Sequence, residues 1–381
     1  MRENARDQAA LNDAKASSLP DAKPSDKKPC PYLKRLRLGV FFDGTNNNKY
    51  RDGPKADEDA FSGGETNVAR LHKIYIEKTD EEAARFKRYL IGNGAVEGDE
   101  EPSGDDAVQP SAGKAENVLG LAFGKGAKQR LNIAYAWVKA KCAEPLPEAE
   151  KVVDIYGFSR GAVLARTFAN LVNQALKKEV ENVRVRFLGV FDSVGSFGAP
   201  GSPKNRGQNL GLDSADVDAW AHFTARHEYR HNFPLSELPG ADKEYPGVHS
   251  DVGGGYEDQP SGKRNHLAYI TLEDMYLRSL DKEKPDAPPR VEMDPPELPA
   301  GLPALREKSA TYGGLNPEAV VPPGVDKEGR DAFFGTYVHV SAKGSSINVL
   351  HPNRPERKHV RRRFRHKKLK LAGKPPNFSW K

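Results

Sequence analysis

The stretch from residue 151 to residue 176 constrains the fold of this chain more than any other. An apolar run of β type, residues 151–156 (KVVDIY), leads into residues 157–161 (GFSRG), and residues 162–176 then follow at helical spacing. A side chain at either glycine would collide with the neighbouring strand or helix, and the serine between them can take a strained conformation. The pattern predicts a strand, a tight turn and a helix, with Ser159 presented at the turn.

Strand and helix patterns also alternate on both sides of this unit. The predicted strands are residues 36–42, 87–91 and 183–191, and the predicted helices are residues 67–78, 129–141 and 219–230. Units of this kind and length build a mainly parallel sheet that is covered by helices on both faces. We therefore predict an α/β fold with polar loop insertions.

Composition divides the chain into a packed centre and two polar ends. Residues 1–33 are polar and lack periodicity, which predicts a disordered leader, and residues 351–381 form a basic C-terminal tail. Residues 34–350 are expected to form one domain. Within it, residues 258–330 are rich in proline and weakly periodic, which favours an insertion or cap.

The cysteines and the apolar runs limit the classes of protein. Cys30 and Cys142 are the only cysteines and lie far apart, so the pattern supports neither a disulfide framework nor a zinc site. No uninterrupted apolar run approaches the roughly 20 residues of a membrane span, and the N-terminus lacks the apolar core of a secretory signal. We expect a protein made in the cytoplasm, without a Sec signal, metal or organic cofactor.

The turn at Ser159 points to nucleophilic catalysis. A serine hydroxyl attacks an ester only when an imidazole takes its proton and a carboxylate fixes that imidazole in the correct tautomer. In this type of unit the acid and the histidine follow the serine along the chain. Asp192 directly follows the predicted strand 183–191 and is the candidate acid. The alternative interpretation is that Asp192 only caps the next turn.

Ten histidines compete for the role of the base. His249 lies in residues 247–256 (GVHSDVGGGY), where a cluster of glycines lets the backbone approach a site closely. His339, in the strand-like residues 336–340 (TYVHV), is the alternative base, because a late strand can also deliver this histidine. Surface or packing roles are expected for the histidines on or just after the predicted helix 219–230, which are His222, His227 and His231.

Four segments together resemble a known family. Residues 41–47 (FFDGTNN), 156–162 (YGFSRGA), 189–194 (GVFDSV) and 248–256 (VHSDVGGGY) are similar, in this order, to the type VI secretion phospholipase effectors. The resemblance covers roughly residues 34–275. It implies an α/β-hydrolase catalytic domain whose catalytic triad is Ser159, Asp192 and His249.

The same resemblance implies an oxyanion hole and partners. It makes the loop of Asp43 and Gly44 face the nucleophile, so that one of its N–H groups joins that of Arg160. The implied substrate is a phospholipid at a membrane surface. A secretion spike protein, an immunity protein and export by type VI secretion to the periplasm or membrane of a target cell are implied as well.

The basic tail has three competing interpretations. Residues 354–370 (RPERKHVRRRFRHKKLK) are a solvated disordered end, a patch for anionic lipid head groups, or a docking segment for nucleic acid or protein. Phe364 and Leu369 between the cations favour a membrane surface. Nucleic acid is disfavoured, because the predicted domain shows no comparable basic run.

Three functional hypotheses follow. The leading one is a serine carboxylic-ester hydrolase, a phospholipase A-type antibacterial effector that acts through an acyl-enzyme on Ser159. The second is a general esterase or lipase with the same triad that acts on soluble esters. The third is a non-catalytic membrane- or nucleic-acid-binding module in which the basic tail makes the contacts.

Overall fold

The protein is described here as a computed structural model. The structure describes residues 34–54, 58–95, 102–107, 109, 125–144, 148–195, 210–212, 217–230, 232–238, 242–281, 289–317, 319–339 and 363–364. The predicted leader, residues 1–33, and the basic tail apart from residues 363–364 lie outside the described residues. Cys30 and His231 lie outside them too.

A seven-stranded sheet forms the centre of the fold. Its strands are β1 (Arg35–Phe42), β2 (Lys78–Thr79), β3 (Ala84–Leu90), β4 (Glu150–Phe158), β5 (Val183–Phe191), β6 (Val217–Ala225) and β8 (Asp242–Tyr245). The spatial order is β2-β3-β1-β4-β5-β6-β8, and every neighbouring pair is parallel except β2–β3. The prediction of a mainly parallel sheet is confirmed.

A second sheet of two short strands includes part of the basic tail. Strand β7 (Leu235–Ser236) pairs in parallel with β9 (Arg363–Phe364), two residues of the basic tail. Leu235 also bridges to Val194, and the Ser236 N–H donates to the Ser193 carbonyl. This part of the tail therefore lies beside the segment that follows β5.

Helices cover both faces of the sheet, as predicted. They are α1 (Asn67–Ile74), α2 (Lys125–Cys142), α3 (Arg160–Gln174), α4 (His249–Gly253), α5 (Leu267–Leu280), α6 (Leu302–Tyr312) and α7 (Lys327–Tyr337). Leu38 and Val40 of β1 join α2 and α3 in one apolar cluster, whereas Phe41 joins α1 and α5 in the other. Alternate residues of a strand point to opposite faces, so β1 serves both clusters.

The topology leaves a crevice next to β1. From β1 the chain passes to β3 on one side and then to β4 on the other. The loops that leave the carboxyl ends of β1 and β4 therefore diverge, and such a switch point is where open parallel sheets bind ligands. Asp43 directly follows β1 and Ser159 directly follows β4.

Three secondary-structure predictions are corrected. The predicted helix 219–230 is wrong, because these residues lie in β6 and the loop after it. Its apolar run is typical of a strand buried on both faces, and periodicity alone does not separate this from a buried helix. The helix predicted at residues 67–78 ends at Ile74, since Tyr75 has extended backbone. The strand predicted around His339 is also wrong, because α7 continues to Tyr337.

In its described residues, the proline-rich segment 258–330 contains α5, α6 and the beginning of α7. Helix α5 packs against α1, α4 and the strands β5 and β6, so it covers one face of the sheet. Helix α6 packs on α5 and α7. The division of residues 34–350 into a catalytic domain with an insertion or cap stays a prediction. Among the described residues, no helix is both long enough and apolar enough to cross a membrane.

Candidate active site

Ser159 occupies a strained turn between β4 and α3. Its backbone has φ 59° and ψ −122°, a conformation that non-glycine residues rarely adopt. The Ser159 N–H donates to the Phe191 carbonyl at 3.0 Å, and the Ser159 carbonyl accepts from the Val194 N–H at 3.2 Å. These two bonds hold the serine against the end of β5.

The glycines on either side allow this turn because backbone passes close to both of them. A Cβ on Gly157 would meet the Cα of Ala162 at 2.7 Å, and a Cβ on Gly161 would collide with the Phe42 and Asp43 carbonyls of the β1 loop. Side chains at these two positions would push the elbow away from the loop after β1.

Asp192 is fully buried at the end of β5. Its N–H donates to the Phe223 carbonyl of β6 at 2.7 Å, and its Oδ1 accepts the Ala225 N–H at 2.9 Å. The other carboxylate oxygen, Oδ2, lies 2.5 Å from Nδ1 of His249. Asp192 is thus oriented by β6 and aimed at one imidazole.

His249 is the first residue of α4 and is buried. Its ring contacts two aromatic rings, with centroid distances of 4.5 Å to Phe158 and 4.9 Å to Phe233. Burial lowers the pKa of His249 below its ordinary value of 6.5, and the hydrogen bond to Asp192 opposes this shift. The imidazole is therefore neutral at neutral pH and able to accept a proton.

The structure brings Ser159, Asp192 and His249 into one neighbourhood. Ser159 is bonded through its backbone to Phe191, the residue before Asp192, and it follows Phe158, whose ring contacts His249. Three segments that are far apart in sequence therefore meet at the carboxyl edge of the sheet.

Asp43 holds the loop after β1. Its carboxylate accepts the Gly44 N–H at 2.6 Å, the Thr66 hydroxyl at 2.7 Å and the Tyr89 hydroxyl. The Thr66 hydroxyl also accepts the Ala69 N–H as the N-cap of α1, so Asp43 ties the loop to that helix. Burial raises the pKa of Asp43 to about 7 although all three bonds favour the carboxylate.

Gly44 and Arg160 are predicted members of the oxyanion hole. A Cβ on Gly44 would come within 2.6 Å of the Phe158 ring, so the loop after β1 packs against the elbow. The Gly44 N–H is engaged by the Asp43 carboxylate. Arg160 is the first residue of α3 and directly follows Ser159.

His339 lies in a different hydrogen-bonded pair. Its Nδ1 is 2.5 Å from Oδ1 of Asp251, and its N–H donates to Oδ2 of the same carboxylate at 3.0 Å. Asp251 also accepts the Val248 N–H at 2.9 Å, which caps α4. His339 therefore fastens the chain after α7 to the helix that begins with His249.

Two further histidines, His222 and His227, lie in the segment that was predicted as helix 219–230, and both have packing roles. His222 is fully buried on β6, and its Nε2 accepts the Ser193 N–H at 3.1 Å. The Nδ1 of His227 accepts the Gly247 N–H at 2.9 Å, and its Nε2 lies 3.1 Å from the Leu315 carbonyl. Both histidines support segments that lead into the site.

Three residues that contact His249 were not predicted from the sequence. These are Phe158, Glu228 and Phe233; the Glu228 carboxylate accepts the His249 N–H at 3.2 Å, and the two rings contact the imidazole. Glu228 lies in the loop directly after β6, which ends at Ala225, so a correct prediction of β6 as a strand would have placed this carboxylate at the same edge of the sheet as Asp192. In the described part of the chain, no group of three or more histidine, cysteine or acidic side chains is arranged to hold a metal ion.

Several solved structures are similar to this chain. No curated protein matches the chain. A solved structure described as the Tle1 effector bound to the VgrG spike from the type 6 secretion system is similar, with a TM-score of 0.54 and 20% identity over 86% of this chain and 89% of that one. An uncharacterized protein from Pseudomonas aeruginosa has a TM-score of 0.43 and 24% identity over 64% and 46% of the two chains.

The family assignment rests on sequence. Residues 36–176 and 174–278 match the model of the type VI secretion phospholipase effector Tle1-like catalytic domain. The match includes the serine turn, Asp192 and His249, and it coincides with the region in which the four motifs resemble this family. The chain belongs to the family of Tle1-like phospholipase effectors of type VI secretion.

Proposed function

We propose that this chain is a serine carboxylic-ester hydrolase of the α/β-hydrolase type that cleaves an acyl ester of a membrane phospholipid. The observation that carries the proposal is the bond between Asp192 and Nδ1 of His249 beside a serine held at φ 59°. Ser159 is bonded through its backbone to Phe191, and the next residue, Asp192, bonds His249. His339 is bonded to Asp251 instead, so His249 is the proposed base.

The first half of the reaction forms an acyl-enzyme. The Ser159 hydroxyl attacks the acyl carbonyl and gives its proton to Nε2 of His249, while Asp192 accepts the Nδ1–H and stabilises the imidazolium. The charge on the carbonyl oxygen is stabilised by the Arg160 N–H. The Asp43 N–H donates to the Leu90 carbonyl at 3.1 Å and the Gly44 N–H to the Asp43 carboxylate, so a second donor from this loop requires one of these bonds to open. Collapse of the intermediate breaks the ester bond, and His249 returns its proton to the departing alcohol, a lysophospholipid.

The second half regenerates the serine. A water molecule gives a proton to Nε2 of His249 and attacks the acyl carbon, and the imidazolium then protonates Ser159 as the fatty acid leaves. Every proton moves between the substrate, water and these protein groups.

The partners are proposed from the family. The similar Tle1 effector is described as bound to the VgrG spike. The proposed partners of this chain are a spike protein that carries it out of the producing cell and an immunity protein that protects that cell. The proposed destination is the periplasm or membrane of a target cell.

The decisive experiment compares wild type with Ser159→Ala on phospholipid vesicles, with the released products identified by mass. Loss of a triad nucleophile costs about 10⁶-fold in rate, so the variant should release neither fatty acid nor lysophospholipid above background. Residual activity above a few per cent removes Ser159 as nucleophile. Equal activity of the wild type on monomeric and aggregated short-chain substrate would favour a soluble-ester esterase instead.

A further inference from the structure

A buried ion pair lies in the loop that follows β6. The Glu228 carboxylate is fully buried, and its Oε1 accepts the N–H of Arg230 at 2.8 Å and the Nε–H at 3.0 Å. Its Oε2 accepts from Nη2 of Arg230 at 2.8 Å. A two-point carboxylate–guanidinium contact of this kind fixes both side chains in one orientation.

This pair reaches His249 by two routes. Oε2 of Glu228 accepts the backbone N–H of His249 at 3.2 Å. The guanidinium of Arg230 lies 3.4 Å from the ring centroid of Phe233, whose ring meets the imidazole edge-on. The Phe158 ring also contacts the imidazole, with the centroids 4.5 Å apart. Backbone and ring of His249 are thus both held from the loop after β6.

We propose that Glu228 and Arg230 are positioning residues that fix the orientation of the His249 imidazole and place two opposite charges beside it. The inference rests on the proposed function, in which His249 is the base. Proton transfer from Ser159 requires a correct imidazole orientation, and displacement by about 1 Å costs about 10²-fold in rate. The bond from Asp192 fixes Nδ1, whereas the Glu228–Arg230 pair fixes the backbone and the ring plane.

The charges around His249 predict how each variant behaves. Asp192 and Glu228 favour the imidazolium, and Arg230 opposes it. Arg230→Gln leaves Glu228 without its cation, so the pKa of His249 should rise. Glu228→Gln leaves Arg230 without its anion, so the pKa of His249 should fall. The double variant removes both charges and should return the midpoint close to that of wild type.

The experiment measures the pH dependence of kcat/KM on a soluble short-chain ester for Glu228→Gln, Arg230→Gln and the double variant. The midpoints of the acid limb of kcat/KM should move in opposite directions in the two single variants. In both variants kcat should be about 10- to 100-fold lower than in wild type, and KM should stay within about twofold of the wild-type value. Arg230→Lys keeps the charge but loses the two-point contact, so it should lower kcat with little change of midpoint. Arg226→Gln, at an exposed arginine paired with Glu244, is the matched control and should behave as wild type.

A readout without substrate separates this inference from the proposed function. The low-field proton resonance of the His249 Nδ1–H, identified by its loss in His249→Ala, reports the imidazole titration even if the chain hydrolyses no ester. Opposite shifts of this titration support the positioning pair whatever the substrate is. The inference is overturned if the His249 titration midpoints of the two single variants do not move. It is also overturned if both midpoints move in the same direction while the melting temperature falls, because the pair then has only a packing role. If Glu228→Gln does not fold, Arg230→Lys and Arg230→Gln still decide the question.

Discussion

The substitution Asp192→Asn tests the proposed catalytic geometry most sharply. In wild type, Oδ1 accepts the Ala225 N–H and Oδ2 faces Nδ1 of His249. An asparagine has only one carbonyl oxygen. If that oxygen faced His249, the buried Ala225 N–H would meet an NH₂ group, which costs about 1–3 kcal/mol, or about 5- to 150-fold in population. The amide NH₂ will therefore face His249.

That orientation puts the imidazole into the wrong tautomer. The NH₂ group donates to Nδ1, so the imidazole proton moves to Nε2, which then has no lone pair for the Ser159 proton. We expect kcat to fall about 10⁴-fold, which corresponds to about 5 kcal/mol of lost transition-state stabilisation. KM should change little, because Asp192 is fully buried and contacts the imidazole rather than the substrate.

The assay is steady-state hydrolysis of a soluble ester beside a thermal melt. Asp331→Asn, the same change at an exposed position of α7, is the control and should retain full activity. A kcat for Asp192→Asn within tenfold of wild type, from a protein that melts cooperatively, would refute the assignment of Asp192 as the group that orients the base.

Three further predictions concern the base and the tail. His249→Ala should lower kcat as far as Ser159→Ala does, because members of a triad act as one unit, whereas His339→Ala should mainly lower the melting temperature; the reverse ranking of kcat would move the base to His339. The acid limb of activity should be centred below pH 6.5, because protonation of a His249 with lowered pKa removes the base; an acid limb centred above 6.5 would contradict this. Removal of residues 354–381 should weaken binding to anionic vesicles and flatten its salt dependence, since each cation contributes about 1 kcal/mol within a Debye length of about 8 Å. Because residues 363–364 pair with β7, the truncation should also lower the melting temperature, but hydrolysis of the soluble ester should fall much less than vesicle binding; an equal loss of both would refute a role of the tail in membrane binding.

The sequence predicted the parts of the fold that depend on local patterns. The unit around Ser159 and the strand Val183–Phe191 are present as predicted, because strong apolar runs there end at turn-forming residues. Strand β6 was mistaken for a helix, because a strand buried on both faces lacks the alternation that identifies it. The pairing partners of Asp192 and Asp251 depend on tertiary packing, so the residues alone left His249 and His339 as alternatives.

The parallel sheet also governs when the site comes into existence along the folding pathway. Asp43, Ser159 and Asp192 follow three neighbouring strands, and pairs such as Leu38 with Val153 join distant parts of the chain. Such contacts form slowly, since a long loop must close before each parallel pair is stabilised. His249 comes later in the chain still, after the last strand of the main sheet. A partly synthesised or partly folded chain therefore lacks an assembled site, so hydrolytic activity should return with the last phase of refolding.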